Sequence, residues 1–447
     1  MANKWIDHAT FYHIYPLGFC GAPPKNDNNS PPVERLFKVL SWIDHFKKLG
    51  INALYLGPVF ESVEHGYDPT NYFEVDRRLG TNSTLKNVIS ELHKNDIRVI
   101  LDGVFNHVGR DFFAFRDLQQ HRTNSMFTEW FTGLDFSKYS PMGDPFTYAT
   151  WDGHYNLVKL NLNYPYVESH LFNAVKMWID EFNIDGLRLD AADNLSPGFI
   201  RRLSSFTRNL KPDFWLMGEV VHGDYKEWAN PESLDSTTNY ECYKSLYSSF
   251  NDKNMFEIAY ALNRQNGDHG LYQHLKLYNF LDNHDVDRIA TSLKDIRHLY
   301  PLHILLFTMP GIPSIYYGSE WGITGKKGGH NDLQLRPSLE LDSMYREFDD
   351  TLIRTIQKLS NIRKYNDALK NGNYKEIKVE PEFLAFSRQT PDQKVVVLIN
   401  GSDREKHFKI QANSATDLLN ENQFYRAENG SIRLKIYPNW GMILKVE

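Results

Sequence analysis

Four short apolar runs in this chain each end in a carboxylate, and that pattern constrains the fold more than any other feature. They are Ile97-Arg-Val-Ile-Leu-Asp102, Ile184-Asp-Gly-Leu-Arg-Leu-Asp190, Phe214-Trp-Leu-Met-Gly-Glu219 and Tyr278-Asn-Phe-Leu-Asp-Asn-His-Asp285. Parallel strands buried on both faces read as continuous apolar runs. In a barrel of such strands the C-terminal ends meet at one mouth, where active sites sit. Carboxylates far apart in sequence are therefore expected in one acidic pocket.

The rest of the chain fits that frame. Strand and helix signals alternate from about Phe11 to about Arg363. Phe11 to Tyr15 reads as a first strand and Ala53 to Leu56 as a second. Between them, apolar Leu36, Phe37, Leu40, Ile43 and Phe46 predict a helix over 36–49, stopped by Gly50. Ser83 is the expected cap of a helix running to Lys94, and a further helix is expected over 167–182. Later strands should end near Glu219, Tyr240 and Asp285, with Pro313 to Tyr317 the last. This cadence predicts a right-handed parallel α/β fold. It breaks between Gly109 and Leu157, a stretch too long for a structureless loop and so expected to be an insertion with its own structure. Beyond Tyr365 the runs Phe383–Phe386, Val395–Ile399 and Met442–Val446, separated by Asn371-Gly372, Asn400-Gly401 and Asn429-Gly430, predict a small antiparallel β domain. The expected division is a barrel over 1–108 and 159–365, an insertion over 109–158 and a β domain over 366–447.

Composition narrows the function. A chain of 447 residues can bury a large core, and 41% hydrophobic with 24% charged residues is an ordinary globular balance. A net charge of −6 offers no basic footprint for a nucleic acid. No apolar run is long enough to span a bilayer, and residues 1–8 lack the apolar stretch of a secretion signal, so the expected location is the cytoplasm. Cys20 and Cys242 have no metal-type or redox-type spacing and are expected to be free thiols.

The acids point to one chemistry. Cleaving a glycosidic bond needs two carboxyl groups, one to protonate the leaving oxygen and one to attack carbon or activate water. Arg188 and Asp190 are two apart on a strand and so face the same side, where the cation keeps the acid ionised. Glu219, closing another run, has no such cation nearby in sequence; burial beside a second carboxylate would raise its pKa and suit it to proton donation. Asp285, with His284, can bind the hydroxyls of the same sugar. Taken singly, each has a bland alternative: an Asp at a strand end is usually a cap, Arg188–Asp190 a structural ion pair, His107 a core histidine.

Seven segments in order outweigh those alternatives. The chain resembles the α-amylase family of glycoside hydrolases in Asp102-Gly-Val-Phe-Asn-His107, Gly186-Leu-Arg-Leu-Asp190, Gly218-Glu-Val220 and Phe280-Leu-Asp-Asn-His-Asp285. His65-Gly-Tyr-Asp68, Lys159-Leu-Asn161 and Gly311-Ile-Pro-Ser-Ile-Tyr-Tyr-Gly318 match as well. The resemblance implies a (β/α)8 TIM barrel with a domain inserted after strand 3 and a C-terminal antiparallel β-sandwich. It implies that Asp190 is the nucleophile, Glu219 the general acid/base and Asp285 the third, stabilising carboxylate. It further implies substrate-binding roles for Tyr67, His107, Arg188 and His284, with His65, Asp68, His222 and Arg288 around them. The implied reaction is retaining hydrolysis of α-1,4-glucosidic bonds through a covalent glucosyl-enzyme intermediate.

Departures from the family select a branch. The segment Asp190-Ala-Ala-Asp-Asn194 lacks the Lys-His pair of many endo-acting amylases, whose His helps hold a calcium ion. Glu219-Val-Val-His222 and Lys159-Leu-Asn161 resemble the neopullulanase, cyclomaltodextrinase and maltogenic amylase branch, whose N-terminal β domain this chain does not show. No cofactor is required for the chemistry. A structural calcium ion would find its candidate ligands in Asn26, Asp27 and Asn28, a loop that also reads as a solvated turn. The expected substrates are short maltodextrins, cyclodextrins or pullulan fragments. A transglycosylase using the same carboxylates is the alternative, and a non-catalytic binding subunit a remoter one.

Overall fold

In the computed structural model, residues 5–328 and 332–447 are described, so the first four residues of the amino-terminal stretch read above lie outside them. Eight parallel strands form one sheet: β1 (Phe11–Ile14), β2 (Ala53–Leu56), β3 (Arg98–Gly103), β4 (Gly186–Leu189), β5 (Trp215–Gly218), β6 (Ser236–Thr237), β7 (Tyr278–Phe280) and β8 (Ile312–Tyr316). Each pairs with its neighbour in sequence and β8 returns to β1. A parallel bridge between Thr238 and Tyr278 closes the ring.

Alternation along each strand explains the apolar runs. Leu187 and Leu189 of β4, Leu54 and Leu56 of β2 and Val99 and Leu101 of β3 face outward into the shell beneath the helices. Their neighbours face inward, where Phe11, Ala53, Tyr55, Ile100, Trp215, Tyr278 and Ile312 fill the barrel. Both faces are dry, so both must be apolar until the upper rim, where Asp102 and Arg188 stand opposite each other in register. Gly186 has no side chain for a close reason: a Cβ there would lie 2.3 Å from the Trp215 carbonyl oxygen.

The expected elements are present with corrections at their ends. The run to Asp285 is strand only as far as Phe280; the five residues beyond it form a loop over the mouth. The sixth strand is two residues long and stops at Thr237, because Asn239 caps a helix that begins at Tyr240. The helix expected over 36–49 is 3-10 over Arg35–Trp42 and α only over Ile43–Leu49, ended by Gly50 at φ 74°. Thr81, not Ser83, caps Asn82–Lys94: its hydroxyl accepts the Thr84 N–H while Thr84 returns the bond. Between β5 and β6 the connection carries only a 3-10 turn, Tyr225–Glu227.

The break after β3 is a structured insertion. His107–Gly109 pairs antiparallel with His154–Lys159, which also pairs with Thr150–Trp151. A helix, Phe113–His121, packs beside this sheet, and Arg110 ties it to Asp144 at 2.6 Å. The C-terminal domain has a six-stranded antiparallel sheet facing a two-stranded one, Lys406–Gln411 with Ser431–Ile436. Its runs are continuous because both faces of the large sheet are covered. Leu384, Phe386, Val395, Val397, Ile399 and Ile443 join the barrel's core. Phe383, Ala385, Val396, Leu398, Met442 and Leu444 pack with Ile410, Ile432 and Leu434 of the small sheet. Of the three Asn-Gly pairs, only Asn429-Gly430 takes positive φ at both residues and turns a hairpin. Cys20 and Cys242 are free and buried. Among the described residues no helix is long and apolar enough to cross a membrane.

Candidate active site

A cleft of about 670 Å³ opens at the C-terminal ends of the strands, walled by Asp190, Glu219, Asp285, Tyr67, His107, Tyr240, Arg336 and, from the insertion, Trp151, His154 and Asn156. Asp190 and Glu219 are the first residues past β4 and β5. Arg188, inward-facing and buried, joins the acids. Its Nη1 lies 2.8 Å from both Asp102 Oδ1 and Asp190 Oδ1, and its Nη2 lies 2.9 Å from Glu219 Oε2. One guanidinium therefore serves three carboxylates. No cation is near Glu219 in sequence, as expected; adjacent strands bring Arg188 to it.

Backbone geometry completes the Glu219 site. Ala191 adopts a left-handed conformation (φ 44°, ψ 47°), rare without glycine, and its N–H reaches Glu219 Oε2 at 3.2 Å. The next N–H, of Ala192, donates to the Glu219 carbonyl at 3.0 Å. The chain after β4 thus folds back on the end of β5. Tyr240, unassigned from sequence, hydrogen-bonds Asn283 at 3.0 Å and reaches Glu219 Oε1 at 3.4 Å.

Asp285 sits between two partners, His284 Nε2 at 2.8 Å and Arg336 Nη2 at 3.0 Å. His284 is stacked against Tyr67, with centroids 5.2 Å apart and planes at 8°. The Tyr67 hydroxyl also donates to Asp102 Oδ2 at 2.9 Å, beside the Tyr55 hydroxyl at 2.7 Å. Arg336 lies 4.6 Å from the Tyr15 ring and donates to the His284 carbonyl. It was missed because nothing in Leu335-Arg-Pro-Ser338 marks it; only the path of the loop after β8 brings it to Asp285.

The electrostatics follow from burial and an excess of acids. Burial pushes the Asp190 carboxyl well above its usual range; Arg188 pulls against this, and Glu219 and Asp102 push with burial. Burial, Glu219 and Asp102 together outweigh the pull of Arg188 on Asp190. This corrects the expectation that Arg188 simply keeps Asp190 charged. For Asp285 burial acts in the same upward direction but is outweighed by His284 and Arg336, which hold it well below the usual carboxylate range. Burial lowers His107 to about 4, so it is neutral at ordinary pH. It donates from Nε2 to the Tyr67 carbonyl at 2.9 Å and accepts the Asn106 amide at Nδ1, which makes it a brace for the Tyr67 loop.

Other expected residues divide. His65 lines the cleft, and its Nδ1 accepts the Tyr67 N–H. Asp68 is buried behind it, accepting the Glu64 N–H at 2.9 Å, and so supports the loop instead of facing the cleft. His222 is exposed in a neighbouring hollow that shares only Val221 and Tyr240 with the cleft, because the chain turns away at Gly223 (φ 109°). Arg288 is fully buried, bonded to the Tyr317 and Leu335 carbonyls and lying 4.3 Å from the Tyr316 ring; it braces the loop after β8 and is no rim residue.

The loop offered for calcium does not fit the ion. Asn26 accepts the Asn28 N–H and donates to Glu61 and Ser62. Asp27 accepts the Asn29 and Ser30 N–H groups and the Ser30 hydroxyl, while the Asn28 amide reaches Asp111. Each side chain serves a different local partner, so the three do not converge as a cage of six to eight oxygens would. Among the described residues no group of three or more His, Cys, Asp or Glu is arranged for a metal.

Residues 25–355 match the family described as alpha amylase, catalytic domain. The chain is 31% identical over 422 residues to a cyclomaltodextrinase from a Bacillus species, covering 90% of this chain and 74% of that protein. It is 29% identical over 464 residues to the maltogenic alpha-amylase of Bacillus acidopullulyticus, covering 97% and 77%. Among solved structures, the ligand-free cyclic α-maltosyl-(1→6)-maltose hydrolase from Arthrobacter globiformis is similar with a TM-score of 0.83 and 25% identity, covering 99% of this chain and all of that one.

Proposed function

The chain belongs to the α-amylase family, and from that premise we propose that it hydrolyses α-1,4-glucosidic bonds in short maltodextrins and cyclodextrins with retention of configuration. The observation that carries this reading is the Arg188 clamp on Asp190 and Glu219. A retaining pair stands about 5–5.5 Å apart, whereas an inverting pair, about 6.5–9.5 Å apart, leaves room for a water. Two carboxyl groups held by one guanidinium suit the first arrangement.

In the first step Asp190 attacks the anomeric carbon, the bond to the leaving sugar breaks, and Glu219 gives its proton to the leaving oxygen. In the second, Glu219 takes a proton from water, the water oxygen attacks the same carbon, and the ester bond to Asp190 breaks. Asp285, kept ionised by His284 and Arg336, provides negative charge where the sugar ring becomes positive. Walls from the insertion bound the cleft and favour short or cyclic chains. The relatives named for cyclomaltodextrinase and maltogenic activity support that substrate range.

The test has two arms. Chromatography of products from maltotriose, maltoheptaose, β-cyclodextrin, pullulan and soluble starch should show preference for the oligosaccharides; a preference for long starch would overturn the substrate assignment. Products longer than maltotriose would instead identify transfer. Proton NMR of the first product formed should show the α-anomer, and a β-anomer would overturn retention. Addition of azide to Asp190→Gly should give the β-glycosyl azide, and to Glu219→Ala the α-glycosyl azide; reversed products would exchange the two roles. Cytoplasmic location belongs to the same reading and is checked by fractionating producing cells.

A further inference from the structure

Beneath the barrel, at the end opposite the catalytic mouth, a cavity of about 270 Å³ lies at the seam with the C-terminal domain. Its walls include Arg388, Lys276, Lys370, Tyr374, Gly311 and Gly372. None of these lines the catalytic cleft. Lys276 precedes β7 and Gly311 precedes β8, which places the cavity at the N-terminal ends of the strands.

Two arginines at this seam are buried without a counter-charge. Arg388 donates from Nε and Nη2 to the Gly372 carbonyl at 3.1 and 2.9 Å and from Nη1 to the Thr308 carbonyl at 2.8 Å. Arg363, directly behind, donates to the carbonyls of Phe307, Leu369 and Gly311. Among the described residues no carboxylate acts on either guanidinium, and the two segments outside them contain no Asp or Glu. Carbonyl oxygens satisfy the N–H groups but carry no net charge, and buried charges are ordinarily paired. The strain is felt: burial lowers Arg363 to about 10, and burial together with Arg363 lowers Arg388 to about 9. Lys276, paired with Asp7 at 2.5 Å, is also lowered, first by burial and in part by both arginines. Among the described residues Lys370 donates to His8 and to the Lys364 carbonyl. Of the acids around the cavity, Asp7 is taken by Lys276, Asp367 accepts from Asn371, Glu376 accepts from Asn263, and Asp268 lies on the exposed rim; none of them acts on either arginine. Tyr374, also in the wall, is buried with a hydroxyl that has no hydrogen-bond partner among the described residues.

We propose that this cavity binds a phosphate-class oxyanion, free or as the phosphate of a phosphomonoester, whose charge neutralises Arg388 and Arg363 and whose oxygens bond Arg388 and Lys370. Such an anion ties the barrel floor to the C-terminal domain and stands apart from the catalytic residues.

Isothermal titration of the full chain at low ionic strength, with inorganic phosphate, glucose 1-phosphate, sulfate and chloride as separate titrants, tests the site. The expected result is one phosphate per chain with a dissociation constant of about 1 mM or tighter. Sulfate should compete and chloride should not. Lys370→Gln, which leaves both buried arginines in place, should weaken binding by ~3-fold or more through loss of a charge-assisted bond. Tighter binding of glucose 1-phosphate identifies a phosphomonoester as the ligand; equal or weaker binding identifies free phosphate. Absence of phosphate and glucose 1-phosphate binding up to 10-fold above that concentration would overturn the proposal. So would an affinity unchanged in Lys370→Gln, or displacement of phosphate by maltoheptaose in Asp190→Asn, which would put the anion in the cleft.

Discussion

Arg188 is the residue on which the site turns. One guanidinium in contact with Asp102, Asp190 and Glu219 fixes their spacing and leaves them short of positive charge. Asp190→Asn and Glu219→Gln should each lower kcat by about 10³-fold or more while the protein stays folded, since the loss is of chemistry and not of packing. Stability should separate them from ordinary lesions. The folded-state pKa of Asp190 lies above its unfolded value, so its protonated form stabilises the fold at low pH and that contribution is lost as pH rises through the folded value. The neutral Asn escapes this loss, so the Tm of Asp190→Asn relative to wild type should rise between pH 4 and pH 8; a relative Tm falling over that range would contradict the assigned direction. Asp285 works in the other sense. Its pKa is depressed, so its contribution is present above the ordinary carboxylate range and is lost as pH falls. Arg336→Gln removes one of its two partners, and kcat/KM should drop by about 10-fold or more, the equivalent of about 1.4 kcal/mol in the barrier. Rates within twofold of wild type would show that His284 alone suffices.

Element ends, more than element centres, position the chemistry. Asp190 and Glu219 are placed by the last residues of β4 and β5, and a side chain at Gly186 would push those strands apart. Gly186→Ala should destabilise by at least about 2 kcal/mol, because its Cβ meets the Trp215 backbone, which cannot rotate away. The helix Asn82–Lys94 offers a sharper comparison. Thr81→Ala should cost about 1 kcal/mol and Ser83→Ala close to nothing, measured by chemical denaturation, since only Thr81 closes the capping box. The sequence carries polar residues at 81, 82, 83 and 84, each able to cap, and their order alone does not say which one stays outside the first turn. Similar reasoning covers His222: three residues past Glu219 it reads as a cleft residue, but the positive φ at Gly223 is invisible until the chain is folded.

At the scale of the whole molecule, the C-terminal domain is part of the barrel's core. Alternate residues of its large sheet, Leu384, Phe386, Val395, Val397 and Ile399, pack into the same buried cluster as the barrel's shell. Removal of residues 366–447 would expose that surface and the Thr308 carbonyl held by Arg388. The truncated chain should be recovered as aggregate, and a soluble, monodisperse product on size-exclusion chromatography would show the domain to be dispensable for folding.

Sequence by itself determined the period of the strands, the acids that close them and the pairing of Arg188 with Asp190. These depend on the side-chain repeat of two, a property of any extended chain. It determined the family for the same reason, since each matching segment is local. Only the tertiary structure decided which acids share a cation and which residue stands beside Asp285. The contact from Arg188 to Glu219 depends on how neighbouring strands are staggered around the barrel, and the one from Arg336 to Asp285 on where a loop returns. Stagger and loop path are settled by closure of the whole ring and by packing between distant segments, and no local run of residues contains that information. The same limit separates Arg288, a charged residue in a rim-like motif that folding buries, from Arg336, an unremarked residue that folding brings to the acids.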